Sequence, residues 1–269
     1  MKTQISIIGC GWLGLPLAKN LINEEYIVKG STTSSNKLEV LISHNIQPFL
    51  VSLEESGISG NYSEFLKGSS ILIINIPPGL RKNPNKNHVK EIKHLIKAAE
   101  QQSIEKVLYI SSTSVFEDEA HFPIITAETP PNATSNSSKQ LIDIEALLQT
   151  TPNFKTTILR FGGLIGDDRH PAKYLAGRTG VSNPKAPINL IHQSDCISII
   201  TSIVKKNHWG TVFNAAFPFH PNKSDYYISY CNQKNLAAPK FNTSEESKGK
   251  LVDSSKLVQL LNYSFKVRP

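Results

Sequence analysis

The chain has 269 residues, 39% of them hydrophobic and 19% charged, with a formal net charge of +7. That length can bury a substantial core, as one large α/β domain or as a domain with a smaller appendage, and no apolar run approaches the roughly 20 residues needed to cross a bilayer. The three cysteines, Cys10, Cys196 and Cys231, are widely spaced and form no CxxC pair, which excludes a disulfide framework and a zinc site of the usual spacing.

The N-terminus lacks the longer apolar region and small-residue cleavage site of a signal peptide, so a cytoplasmic location is expected. Much of the positive charge lies in Arg81, Lys82, Lys86, Lys90, Lys93 and Lys97, along one loop and helix. Without a nucleic-acid motif or stacking aromatics this reads as a solvated basic surface, and neither nucleic acid nor membrane is an expected partner. A small-molecule substrate is, with the chain a monomer or homodimer.

In chain order, Ile5 to Ile8 is a compact apolar run that predicts a first strand ending at Gly9. Leu13, Leu17 and Leu21, with Ala18 and Ile22, recur at helical spacing. Pro16 falls in the first turn of that helix, where a missing N–H does little harm. Tyr26 to Gly30 predicts strand two, Lys37 to His44 a helix and Gln47 to Leu50 strand three. The continuous apolar run Ile71 to Ile76, broken only by Asn75, fits a buried central strand that stops at Pro77-Pro78. Asn87 to Gln102 predicts a helix, Lys106 to Ile110 a strand, Ser135 to Gln149 a helix and Thr156 to Arg160 a strand. From Phe161 to Pro187 periodicity is lost, and substrate-facing loops are expected. Asn189 to His192, Asp195 to Val204 and Thr211 to Asn214 resume the alternation as strand, helix and strand. This order predicts an α/β chain: a Rossmann-type doubly wound parallel sheet with a small C-terminal α+β substrate or cap region. The expected division is a dinucleotide-binding domain at 1–160 and a cap region at 161–269, interleaved with the last strands of the sheet.

Gly9-Cys10-Gly11-Trp12-Leu13-Gly14 is a GxGxxG that follows a predicted strand and opens a predicted helix, the context in which this motif cradles a pyrophosphate. Gly9 permits the tight turn, Gly11 lets the backbone approach the phosphates, and Gly14 lets helix and strand pack closely. Trp12 and Leu13 belong to the same loop. Phosphate charge then meets the free N–H groups and positive dipole of the helix N-terminus. An NAD-specific site usually places a carboxylate about 20 residues further on. Here Gly30 to Lys37 reads GSTTSSNK, with no acid. The hydroxyls of Ser31, Thr32, Thr33 and Ser34, with Lys37, suit a 2′-phosphate, so NADP is expected ahead of NAD. The alternative reading is a polar loop that only caps the next helix.

From strand five onward the chain resembles the extended and atypical short-chain dehydrogenase/reductase superfamily, of the nucleoside-diphosphate-sugar epimerase/dehydratase type. Tyr109-Ile110-Ser111-Ser112-Thr113-Ser114-Val115-Phe116 is similar to its strand-five motif. Ile158 to Gly166, running on to Arg169, resembles its LR…G…G…R segment, and Asn189 to His192 leading to Asp195 its strand, His, then Asp signature. A short bacterial group of atypical members shares the GCGWLG opening, Pro77-Pro78-Gly79, and an RHP…AGR stretch, here Arg169-His170-Pro171 and Ala176-Gly177-Arg178. The likeness runs over roughly residues 4 to 215. It implies that Ser112 hydrogen-bonds a substrate oxygen, that Ser111, Ile76, Pro77 and Pro78 line the nicotinamide end, and that Arg169 approaches an anionic substrate group.

The superfamily's Tyr-x-x-x-Lys pair, in which the lysine lowers the tyrosine pKa for proton exchange, has no tyrosine counterpart in the matching stretch. If Lys139 is the family lysine, Ser135 stands in the tyrosine place. If Glu145 is the acid that commonly follows the pair, Ser137 and Leu141 take the two places. The remaining ionisable candidates for an acid are His192, Asp195, Tyr174 with Arg178 four residues on, and Glu145, and each also has a structural reading. We carry Ser112, Lys139 and His192 as candidate catalytic residues and Arg169 and Tyr174 as candidate substrate contacts; no metal site is expected. Three functional readings stay open: an NADP-dependent oxidoreductase or epimerase on a small polar, sugar- or nucleotide-like substrate; a catalytically silent NADP-binding sensor acting through a partner; and a relative of 3-hydroxyacid dehydrogenases, whose glycine loop is similar. The strand at Thr156 to Arg160 and the Gly-rich loop after it point away from the third.

Overall fold

A computed structural model describes residues 2–269. The elements in chain order are β1 (Gln4–Ile8), α1 (Gly14–Asn23), β2 (Ile27–Thr32), a 3₁₀ turn at Ser35–Lys37, α2 (Leu38–Ile42), β3 (Gln47–Glu54), β4 (Gly57–Gly60), α3 (Tyr62–Leu66), β5 (Ile71–Ile74), α4 (His88–Gln101) and β6 (Lys106–Ser112). They continue with a 3₁₀ turn at Thr113–Val115, β7 (Ile124–Ile125), α5 (Asn136–Thr150), β8 (Lys155–Phe161), β9 (Gly163–Ile165), α6 (Ala172–Leu175), β10 (Leu190–His192), α7 (Gln193–Lys205), β11 (Val212–Ala215), α8 (Lys223–Gln233), β12 (Leu251–Val252) and α9 (Ser255–Leu261).

The large sheet has the order β11-β8-β6-β5-β1-β2-β3-β4. β1 pairs in parallel with β2 and β5, β2 with β3, and β5 with β6. β4 is the antiparallel exception, folding back on β3. The chain runs outward from β1 through β2 to β3, then recrosses to β5 and moves the other way. Right-handed crossovers therefore put α1 and α2 on one face of the sheet and α4 and α5 on the other. A sheet covered on both faces needs apolar strands. All four residues of β5 are buried, as are Ile5, Ile7 and Ile8 of β1.

Each flanking helix turns an apolar stripe inward: Leu17, Ala18 and Leu21 of α1, Ile92, Leu95 and Ala99 of α4, Leu141, Ile144 and Leu148 of α5. Each fully buried aliphatic side chain contributes about 1.5–3 kcal/mol, so these stripes hold the helices to the sheet without ion pairs. The caps fall at the predicted starts of two helices, Asn87 and Ser135. Asn87 accepts the Lys90 N–H at 3.0 Å to open α4, and Ser135 accepts the Ser138 N–H at 3.2 Å to open α5.

Two compact units divide the chain: Met1–Ser112, Thr134–Leu159 and Ile197–Val212 in the first, and Thr113–Ala133, Arg160–Cys196 and Phe213–Pro269 in the second. Residues 113–133, grouped by the sequence with the N-terminal part, thus fall in the second unit. Their strand β7 pairs in parallel with β12, far along the chain, an association no local pattern announces. The second unit also holds the parallel pair β9-β10 and a core of Ile165, Ala172, Ile188, Leu190, Tyr227 and Cys231.

Three features depart from the sequence reading. β2 runs on to Thr32, taking Ser31 and Thr32 into the sheet. The hairpin strand β4 and the single-turn α3 occupy a stretch without clear periodicity. The expected loop 161–187 contains β9 and α6. The C-terminal 50 residues hold α8, the two-residue strand β12 and α9, in keeping with the expected small α+β region. No helix of the described residues is long and apolar enough to cross a membrane, and no group of three or more candidate ligands that could hold a metal is found among them.

Candidate functional site

In an open parallel sheet, ligands bind where neighbouring strands send their connections in opposite directions, at the carboxyl ends of the strands. Here that point lies at β1 and β5. The Gly9–Gly14 loop leaves β1, and the segment from Asn75 leaves β5. The Asn75 amide side chain donates to the Gly9 carbonyl at 3.0 Å, and its N–H donates to the Ile8 carbonyl at 3.0 Å.

The three glycines of the loop differ in why they must be glycine. A Cβ on Gly9 (φ +100°) would lie 2.5 Å from the Asn75 carbonyl oxygen and 2.8 Å from Ile76 Cγ2. A Cβ on Gly14 would lie 2.2 Å from the Gly9 carbonyl oxygen. Both are demanded by the protein's own packing. A Cβ on Gly11 would meet no protein atom within 4 Å. Nothing inside the chain explains a glycine there, whereas a ligand lying against the backbone does. The adjoining helix end is suited to an anion: α1 begins without a side-chain cap, and its dipole places partial positive charge at that end. The residues present therefore fit a dinucleotide pyrophosphate. Gly11 is exposed, Trp12 half-buried and Leu13 buried.

Cys10, between the glycines, is no nucleophile: burial pushes its thiol up to about 12.

Ser31 and Thr32 stand differently from the exposed members of their segment. Ser31 is buried; its hydroxyl accepts the Gly9 N–H at 3.1 Å and its carbonyl accepts the Cys10 N–H at 2.9 Å. It braces the glycine turn. Thr32 Oγ1 accepts the Ser34 N–H at 3.1 Å, a local turn. Thr33 and Lys37 are exposed and Ser34 half-buried. Further along β2, Lys29 is buried, and its ammonium donates to the carbonyls of Glu64 and Lys67 at 2.6 and 2.7 Å, closing the end of α3. Burial lowers its pKa from 10.5.

At the end of β6, Ser112 is half-buried, while Ser111 is buried and donates its hydroxyl to Glu145 Oε1 at 2.5 Å. Glu145 is itself buried on α5, and burial beside it drives the Tyr109 phenol well above its usual pKa. Strand alternation puts Tyr109 and Ser111 on one face, toward α5, and Ser112 on the other. Ser111 thus bonds to the helix behind the strand instead of presenting a free hydroxyl at the nicotinamide end. The buried face of α5 runs through Ser138, Leu141, Ile144, Glu145 and Leu148, and Lys139 is exposed. Ser135 is the helix cap, with its hydroxyl 2.8 Å from Ser138 Oγ.

The remaining candidates lie in the second unit. His192 ends β10; its Nδ1 accepts the Ser194 N–H at 3.2 Å and lies 2.8 Å from Ser194 Oγ, while Nε2 is 3.7 Å from the exposed Asp167 carboxylate. Asp195 is fully buried and accepts from Tyr263 OH (2.6 Å), Lys266 N–H (2.8 Å) and Val267 N–H (3.1 Å). Both residues order the turn into α7, and Asp195 anchors the C-terminal tail. Arg169 and Tyr174 are exposed. Sequence reasoning gave no role to His170. It is buried, stacked on Tyr230 at 3.7 Å between centroids, 2.9 Å from Tyr226 OH through Nε2, and receives the Ala172 N–H at Nδ1. Burial, with Lys173 and Lys234 nearby, lowers its pKa to about 4. The RHP tripeptide was the only signal pointing to it.

No family model matches the chain. Protein YeeZ of Escherichia coli (strain K12) is 29% identical over 264 residues, covering 97% of this chain and 95% of that protein. Among solved structures, UDP-glucuronic acid 4-epimerase from Bacillus cereus in complex with NAD superposes with a TM-score of 0.80 at 19% identity, covering 99% of this chain and 92% of the epimerase. MoeE5 in complex with UDP-glucose and NAD gives 0.79 at 15%, covering 99% and 94%. A functionally unknown conserved protein from Silicibacter pomeroyi DSS gives 0.77 at 18%, covering 99% and 94%. At these identities the likeness establishes the Rossmann-like fold.

Proposed function

We propose that this protein binds a nicotinamide dinucleotide, NADP in preference to NAD, and acts as an oxidoreductase or epimerase on a small polar, sugar- or nucleotide-like substrate. The observation that carries the binding is Gly11: a backbone position kept bare of side chain, facing open space beside an uncapped helix N-terminus. Structures with the same fold that contain NAD, the Bacillus cereus epimerase and MoeE5 among them, support it.

The Gly9–Gly14 loop, with Trp12 and Leu13, would hold the pyrophosphate. Thr33, Ser34 and Lys37 would receive a 2′-phosphate, with Ser31 and Thr32 shaping that strand end. Ile76, Pro77 and Pro78 would wall the nicotinamide end, backed by Ser111. A bound nicotinamide supplies a hydride acceptor or donor. Ser112 would hydrogen-bond a substrate oxygen, Lys139 and His192 are the candidates for holding a proton, and Arg169 and Tyr174 would contact substrate.

The test is titration with NADPH and with NADH, on the wild-type chain and on Gly11→Val. Saturable binding that Gly11→Val abolishes supports the reading; no binding of either nucleotide by the wild type ends it. A second reading, a catalytically silent NADP-binding sensor, is favoured by one observation. The buried stripe of α5 carries Ser138 and Leu141 through its first two turns, with neither a tyrosine nor a lysine, and a serine hydroxyl is far too weak an acid to stand in for a phenol. That reading expects tight nucleotide binding and a partner whose association depends on the oxidation state of the nucleotide.

A further inference from the structure

The segment that leaves β5 is held at both ends, and by different means. Its start, Asn75–Ile76, lies against the glycine turn, as the contacts a Gly9 Cβ would make demonstrate. Its far end is tied to α5. Asn136 Nδ2 donates to the Pro84 carbonyl at 3.1 Å, and Gln140 Nε2 donates to the Lys86 carbonyl at 3.0 Å. Gln140 Oε1 accepts the His88 N–H at 2.7 Å. Asn136 and Gln140 are four residues apart, so they share one face of the helix.

Behind this clamp is the buried carboxylate of Glu91. One oxygen of Glu91 lies 2.7 Å from His88 Nδ1 and 2.9 Å from Lys86 Nζ. His88 and Glu91 are both buried. From the other side, the Asn87 N–H donates to Glu55 Oε1 at 2.8 Å. Between its fixed ends the segment folds into local turns, with the N–H groups of Lys82 and Asn83 on the Gly79 carbonyl at 3.0 and 3.3 Å and the Lys86 N–H on the Asn83 carbonyl at 3.2 Å. A loop of this length held at one end samples many conformations, and each restraint removes some of that entropy before any ligand arrives. The Gln140 side chain is half-buried and fills no core position. It bonds to this segment and to Asn136.

We propose that Gln140 is a positioning residue for dinucleotide binding: together with Asn136 it ties the Pro77–Asn87 segment to α5 and so pre-forms the Ile76–Pro78 wall at the carboxyl ends of β1 and β5. The proposal rests on the dinucleotide reading above. It assigns the opening turns of α5 to ordering the nucleotide-binding wall.

The experiment uses the full chain and Gln140→Ala, with two readouts. The first is amide hydrogen exchange over residues 79–88 without nucleotide; the second is NADPH and NADH affinity by fluorescence titration. Loss of two neutral hydrogen bonds predicts about tenfold faster exchange at His88 and about tenfold weaker binding. The factor should be the same for both nucleotides, because the proposed wall lines the nicotinamide end, which NADPH and NADH share. Unchanged exchange, or faster exchange with unchanged affinity, overturns the proposal. If Gln140→Ala does not fold, Asn136→Ala, on the exposed side of the helix, carries the same test with a smaller expected effect. If the wild type binds neither nucleotide, the dinucleotide reading and this proposal both fall, while the exchange data still report whether the clamp holds the segment.

Discussion

Replacing the three glycines of the β1–α1 turn one at a time separates the demands of folding from those of binding. An alanine at Gly14 puts its Cβ 2.2 Å from the Gly9 carbonyl oxygen, and an alanine at Gly9 puts its Cβ 2.5 Å from the Asn75 carbonyl oxygen at a φ of +100°. Real Cβ atoms do not approach backbone oxygen so closely, so β1 and α1, or β1 and β5, must move apart. Overpacking of this kind costs about 1–3 kcal/mol, and the left-handed backbone at Gly9 adds about 1–2 kcal/mol for a residue with a side chain. At Gly11 the added Cβ meets nothing within 4 Å. Alanine there is neutral, or stabilising by about 0.4–1 kcal/mol through the unfolded chain. At roughly 2–4 °C per kcal/mol for a chain approaching this size, Gly9→Ala and Gly14→Ala should each lower the melting temperature by several degrees, and Gly11→Ala should leave it in place or raise it. Nucleotide affinity should run the opposite way for Gly11→Val, which keeps the fold and loses NADPH binding by at least about a hundredfold. The assay is thermal unfolding by circular dichroism beside fluorescence titration with NADPH. A Gly11 variant as unstable as Gly14→Ala, or a folded Gly11→Val that binds NADPH at wild-type affinity, would refute the reasoning.

Lys37→Glu should weaken NADPH at least about tenfold and leave NADH unchanged, since it sets a carboxylate where a 2′-phosphate is expected; tighter binding of NADH than NADPH by the wild type would remove the reading of the Ser31 to Lys37 segment. Tyr263→Phe deletes a 2.6 Å bond to the fully buried Asp195 carboxylate and should lower stability by about 1.5–3 kcal/mol, measured by urea denaturation; an unchanged midpoint would show that the tail is not anchored there. His170 titrates in the folded protein at about 4 against an ordinary 6.5, so protonation favours the unfolded chain. Its contribution is complete above pH 6.5 and is lost as pH falls toward 4. His170→Gln should flatten that part of the stability–pH curve, and parallel curves for the two proteins would exclude His170 as its source.

The parallel α/β alternation was legible in the sequence because its signals are local. β1, β5 and β6 are short apolar runs, α1 and α4 show apolar residues at helical spacing, and α4 and α5 begin within one residue of the predicted helix starts, Asn87 and Ser135. The glycine turn between β1 and α1 was legible for the same reason: glycine spacing, strand and helix all fall within residues 5 to 22. Less visible were β4 and α3, which lack clear periodicity, and β7, a two-residue strand whose partner β12 lies more than 120 residues away. The Ser111 hydroxyl illustrates the limit within the candidate site. Its motif pointed to the nicotinamide end, and the buried Glu145 on α5, 34 residues later, accepts its hydrogen bond.

What the sequence determined by itself was the fold class and a bend able to receive a diphosphate, because strand, turn and helix are each encoded within a few residues. Only tertiary structure decided which two glycines serve packing and which one faces open space, that Ser31 braces the turn, and that Gln140 holds the segment after β5. Those assignments depend on distances between atoms far apart in the chain, fixed when the sheet closes on its helices.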